Sequence, residues 1–111
     1  METVPEGSTA WLTIRLFGKD GASATPATLT YRIDDAATLM PVRENTEVES
    51  PAAITEIELT PEDNAILNER GLNERRLVTV QATFSNGRAH NQQYVYRVEN
   101  LGRVQAGNEL G

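Results

Sequence analysis

The sequence predicts an all-β domain, an antiparallel sandwich of two sheets, and three observations carry that prediction. Two runs of strand composition, residues 75–84 and 93–98, flank Asn86-Gly87, the strongest short-range hairpin signal in a sequence. Three further runs alternate apolar and polar residues with a period of two, as strands with one buried face do. Turn formers separate these runs at short intervals, the spacing of a sandwich with six or seven short strands.

Taken in order, residues 11–17 place Leu12, Ile14 and Leu16 on one side and Thr13 and Arg15 on the other. Trp11 and Phe17 fall on the side away from the core. Either one of them packs under a loop at the sheet edge, or both form an exposed patch for a protein or sugar partner. Residues 18–26 are rich in turn formers and read as a loop. The next strand, 28–34, turns Leu29, Tyr31 and Ile33 inward. Residues 39–42 and 44–48 are weaker; Pro41 lacks the N–H a sheet ladder needs, so this part belongs at an edge. Residues 53–60 form a better strand, with Ile57 and Leu59 inward and Glu56 and Glu58 outward.

A short helix is expected near residues 61–69. Thr60 can cap it, Pro61 suits its first position, Asp63 stands three residues after the cap, and Gly71 can end it in the left-handed conformation. The closing hairpin poses a question of register. A two-residue turn at Asn86-Gly87 would put Tyr94 on the face of Thr79, whereas Val78, Val80, Ala82 and Phe84 should share a core with Tyr94, Tyr96 and Val98. A slip of one residue restores the agreement. The expectation is therefore a three-residue loop with Gly87 left-handed, or an equivalent bulge, and Tyr94 opposite Val78.

The chain divides into an N-terminal arm (1–8), a sandwich domain (9–101) and a C-terminal tail (102–111). The two ends are expected either to be disordered or to order on a neighbouring molecule, with Val104 and Leu110 as anchors. At 111 residues the domain is large enough to bury about two-thirds of its unfolded surface without a disulfide or metal. Cysteine is absent, which removes thiol catalysis and cysteine zinc sites. The start of the chain does not read as a signal peptide, and no apolar run is long enough to span a membrane, so no membrane partner is expected. A net charge of −6 argues against nucleic acid. From Glu44 to Glu69 there are eight acids and no Lys or Arg, read either as a solvated face or as a patch for a basic partner.

Candidate chemistry is sparse. His90 is the single histidine and lies in a polar strand. No serine sits in a nucleophile-elbow pattern. Asp34 and Asp35, with Asp20, could offer oxygen ligands to calcium, but they lack the spacing of a calcium loop. Glu56 and Glu58 share one strand face, and similar surroundings do not separate an acid from a base. No catalytic, metal-binding or cofactor-binding residue is therefore assigned, and no enzyme is expected. Arg75, Arg76, Arg88 and Arg97 surround the hairpin and contrast with the acidic middle.

The order of these elements resembles an immunoglobulin-like or fibronectin type III-like domain. More specifically, residues 57–67, followed by 74–80 and 94–101, look like small structural proteins of tailed phages and prophages. That resemblance implies a non-enzymatic virion protein, made in the host cytoplasm and incorporated into the particle as a capsid decoration or head/neck accessory subunit. It implies partners among capsid, neck or tail subunits in a symmetric assembly, and no cofactor. The partner-binding candidates are Trp11, Phe17, Arg88, Arg103, Val104 and Leu110. An alternative is a surface-adhesion module for bacterial glycans or a host receptor, using Trp11 and Phe17 or loop aromatics.

Overall fold

The structure is a computed structural model and describes residues 2–102. Seven strands follow one another: β1 (Glu2–Pro5), β2 (Ala10–Arg15), β3 (Thr28–Asp35), β4 (Pro41–Glu47), β5 (Ile54–Leu59), β6 (Asn73–Thr83) and β7 (Ala89–Glu99). They build a five-stranded sheet in the order β1-β7-β6-β3-β4 and a two-stranded sheet, β2-β5. All pairings are antiparallel except β1 with β7, so the large sheet is mixed and the expectation of a purely antiparallel sandwich is corrected.

The inward positions of both sheets meet in one core. Leu29, Tyr31, Ile33, Val78, Val80, Ala82, Tyr96 and Val98 come from the large sheet, and Ile14, Leu16, Ile57 and Leu59 from the small sheet and its extension. Alternation specified these faces, because each strand turns every second side chain to the same side. Fully burying side chains of this size contributes about 1.5–3 kcal/mol each, which fixes register wherever one face is apolar.

The hairpin has the expected slip. Val78 pairs with Tyr94 and Val80 with Gln92. Three residues, Ser85 to Gly87, make the loop: the Phe84 amide donates to the Arg88 carbonyl (2.8 Å), the Gly87 amide donates to the Phe84 carbonyl (2.9 Å), and Gly87 has φ 86°. A side chain at that φ would be strained, so glycine is needed there. Residues 39–42 and 44–48 do not make two strands: one edge strand, β4, runs from Pro41 to Glu47, and its register against β3 shifts twice; Pro41 lies on that edge as its missing N–H requires.

Two expectations are overturned. Residues 2–5, assigned to an arm outside the sandwich, are a strand: β1 lies parallel to β7, pairing Glu2 with Tyr96 and Pro5 with Glu99, and buries Val4. The helix near 61–69 does not form. Its cap does: the Asp63 amide donates to Thr60 Oγ1 (3.2 Å), and the Thr60 amide donates to Asp63 Oδ2 (2.8 Å). After one turn, in which the Asn64 amide reaches the Thr60 carbonyl (3.2 Å), the chain leaves the helical path. The amides of Leu67 and Asn68 donate to the Glu74 carboxylate, so a side chain takes the place of the helical carbonyls. Gly71 is not among the residues with positive φ and ends no helix.

Candidate interaction site at the β3–β4 end

Arg76 organises one end of the sandwich. It lies on the inward face of β6, at the parity of Val78 and Val80, and its side chain is fully buried. Nη1 donates to Asp35 Oδ1 (3.2 Å), at the end of β3. Nη2 donates to the Ala65 carbonyl (2.8 Å) and contacts Glu74 Oε1 (2.8 Å). One guanidinium therefore ties β3, β6 and the 60–72 segment together, with two carboxylates to balance its charge. Removing one partner of such a buried pair costs far more than an exposed ion pair contributes.

A second guanidinium holds the same segment from the β4 side. Arg43 Nε and Nη2 donate to the two oxygens of Asp63 (3.1 and 2.6 Å), and Nη2 also donates to Thr60 Oγ1 (3.3 Å). Nη1 donates to the Tyr31 hydroxyl, and the guanidinium carbon stands 5.7 Å from that ring's centre. Beneath both, the Tyr96 hydroxyl donates to Asn64 Oδ1 (2.8 Å), while Asn64 Nδ2 donates to the Ser8 carbonyl (2.7 Å). Burial raises the Tyr96 pKa well above the ordinary phenol value of 10.0, with Arg76 opposing the shift.

Upon this frame sits the β3–β4 turn. Asp35 accepts from the amide and hydroxyl of Thr38 (3.1 and 2.9 Å), the Leu39 amide donates to the Asp35 carbonyl (2.7 Å), and the Asp35 amide donates to the Met40 carbonyl (2.9 Å). Closing this turn puts Leu39 at φ 61°, the one non-glycine residue with positive φ among the described residues. A left-handed residue with a large side chain costs about 1–2 kcal/mol. Yet the side chain so placed gains no burial: Leu39 is 66% exposed and Met40 62%. Beside the turn lies a cleft of about 790 Å³, walled by Met40, Leu67, Asn68, Asn73 and Arg75 over Asp35 and Glu74. Leu67 is also exposed, as is Leu72 beside Asn73, so four of the eight large exposed apolar side chains among the described residues belong to this end.

The candidates named from sequence lie elsewhere. Trp11 (58% exposed) and Phe17 (60%) project from the small sheet and its extension, and neither is packed under a loop; beside Phe17, residues 22–24 pair with the backbone of 16–18 and leave its side chain uncovered. Trp11 borders a groove of about 220 Å³ with Val4, Leu12 and Tyr94, far from the cleft in sequence and lined by other strands. Arg88 is exposed at the hairpin tip, at the opposite end of β6 from Arg76. Arg103, Val104 and Leu110 lie outside the described residues. Asp34 pairs with Arg32 (2.9 and 2.8 Å), Asp35 serves the turn and Arg76, and Asp20 accepts from the Ala22 amide (3.1 Å). Among the described residues no three His, Asp or Glu side chains group as metal ligands. His90 contacts Gln92 on the exposed part of β7.

Sequence reasoning missed Leu39, Met40 and Leu67 as a surface, and Arg76 as its support. The parity of Val78, Val80 and Ala82 extends back to Arg76 and would have placed it inward. Nothing in the sequence signals a left-handed leucine, since glycine and asparagine are the residues that favour that conformation. Compared with protein-family models, with curated proteins and with solved structures, the chain matches none.

Proposed function

We propose that this protein is a non-enzymatic structural subunit of a tailed-phage particle, a capsid decoration or head/neck accessory protein that works by docking onto neighbouring virion subunits. The observation that carries the docking role is the Leu39–Met40 turn. Strain in the backbone and exposure of two large apolar side chains both cost free energy in the isolated molecule, and contact with a partner offsets the second. The carboxylates beneath it, Asp35 and Glu74, are occupied by Thr38, Arg76 and backbone amides, which suits a structural support better than acid–base chemistry.

The immunoglobulin-like reading has support from strand order. In that arrangement the third, sixth and seventh strands share a sheet opposite the second and fifth, as β3, β6 and β7 lie opposite β2 and β5 here. The assignment to a virion rests on the resemblance of residues 57–67, 74–80 and 94–101 described above. Under the adhesion alternative, Trp11 would form a sugar platform at its groove. The walls there include Val4, Leu12 and Leu59, with few groups to bind sugar hydroxyls, so the assembly reading is preferred.

The test is to purify particles from a host carrying the encoding phage or prophage and to quantify the chain against the major capsid protein. A fixed stoichiometric ratio, with the β3–β4 end against another subunit in the particle map, is the expected result. Particles that lack the chain would overturn the assignment.

A further inference from the structure

Among the described residues the small sheet has two edges with no strand beside them and the large sheet has two more, and they differ in how they meet a second copy of the chain. An edge strand offers unpaired backbone donors and acceptors to any strand that fits. In the large sheet β4 begins at Pro41 and is irregular, with two register shifts against β3, and β1 has four residues and ends in Pro5. In the small sheet, the Leu16 amide donates to the Ala53 carbonyl (2.9 Å), in register with the pairs Ala10–Leu59 and Leu12–Ile57. The even residues of β2 thus turn their backbone groups to β5, and Trp11, Thr13 and Arg15 turn theirs to the open side. By the same alternation, the open side of β5 belongs to Ile54, Glu56 and Glu58.

These two edges have opposite self-complementarity. Two β5 strands laid antiparallel about Glu56 would set like charges directly opposite each other, which is unfavourable. Two β2 strands laid antiparallel about Thr13 set Thr13 against Thr13 and Trp11 against Arg15 at both ends. Every open backbone group of Trp11, Thr13 and Arg15 then finds a partner, since all three residues are hydrogen-bonding positions in that register. The outward side chains match as well: threonine pairs with threonine, and each guanidinium meets an indole face. Trp11 and Arg15 are both exposed in the single chain.

We propose that the protein forms a twofold dimer through β2, joining the two small sheets into one four-stranded sheet in the order β5-β2-β2-β5, centred on Thr13. The interface is isologous and closed, so it ends at two copies. It also brings the second copy against the mouth of the groove formed by Val4, Trp11, Leu12 and Tyr94. The dimer is independent of the particle assignment, and the purified protein suffices to test it.

Sedimentation equilibrium of the full chain is expected to give a dimer, and a monomer at all concentrations up to the millimolar range would overturn the proposal. Register is tested with single cysteines, since the chain has none of its own. Facing residues of a hydrogen-bonded pair have Cα atoms about 5.5 Å apart, within disulfide reach. Thr13→Cys should oxidise rapidly to a covalent dimer, and Glu56→Cys should not. Equal rates for the two variants, or faster coupling through Glu56→Cys, would refute the β2 interface. Arg15→Glu should weaken association about tenfold, as two exposed cation–π pairs are lost together. Adding Trp11→Lys to it should restore association by setting opposite charges face to face. Failure of that rescue in a folded double variant counts against the Thr13-centred register.

Discussion

The two ends of β6 show how differently this chain invests its polar residues. At the Asn73 end, Arg76 is wholly buried and joins Asp35, Glu74 and the Ala65 carbonyl, and the turn above it is strained and apolar. At the Thr83 end, the hairpin closes over Ser85, Asn86 and Gly87 with backbone bonds and an Asn86 side chain that accepts from the Arg88 amide (3.0 Å). The hairpin tip needs only a glycine with positive φ. The β3–β4 end needs buried ions to hold a conformation that is unfavourable in isolation. Strain supported by buried charge marks the end where a partner contact is to be sought, and an unstrained turn with exposed polar residues marks a simple connection.

Substitutions sharpen that contrast, and the largest effect belongs to Arg76. Arg76→Met leaves the Asp35 and Glu74 carboxylates partly buried without their cation, so denaturant unfolding should show a loss of roughly 3 kcal/mol. Arg88→Ala at the other end should change stability by less than about 0.5 kcal/mol, as for an ordinary surface position. If the two substitutions had equal effects, the frame described for the β3–β4 end would be wrong.

Tyr96 gives the frame a pH signature. Its phenol is buried, and its folded pKa is raised, so the fold favours the neutral form. The associated stability is complete below the unfolded value near 10 and is lost as pH rises from there towards the higher folded value. Wild-type unfolding free energy should therefore fall above about pH 10, and Tyr96→Phe should flatten that fall while costing about 1 kcal/mol at neutral pH for its lost hydrogen bond to Asn64. An unchanged alkaline slope in the variant would remove Tyr96 from the account.

The two turns with a positive-φ residue should also respond in opposite directions. Gly87→Ala places a side chain at φ 86° and should destabilise by about 1 kcal/mol. Leu39→Gly removes a side chain from φ 61° and should stabilise by a similar amount, about 1 kcal/mol, since Leu39 contributes little burial. Thermal unfolding of the two variants beside the wild type measures both.

Much of this architecture was legible in the residues, and what was not has physical causes. The hairpin register followed from parity and loop length together: Val78, Val80, Tyr94 and Tyr96 share a face only in registers of one parity, and a three-residue loop at Ser85–Gly87 selects the one that sets Val78 opposite Tyr94. The inward faces of β3 and β5 and the edge position of Pro41 came from the same kind of argument. The helix failed because a capping box specifies one turn, while continuation depends on where the next amides go; those of Leu67 and Asn68 go to Glu74, seven and six residues ahead. β1 escaped notice because Val4 is its one inward apolar residue and its partner, β7, lies at the far end of the chain. The interaction surface was the least legible. Leu39, Met40 and Leu67 come from two separate segments, and their juxtaposition depends on Arg76, whose charge suggested surface rather than core.

The central claim is that the Leu39–Met40 turn is held exposed for a partner at some cost to the free protein. Its most direct test pairs two readings on one double variant, Leu39→Gly with Met40→Ser: unfolding free energy of the purified protein, and its copy number in particles that lack the wild-type chain. The account predicts stability equal to or above wild type together with loss of incorporation. A variant that is incorporated at the wild-type level would contradict it.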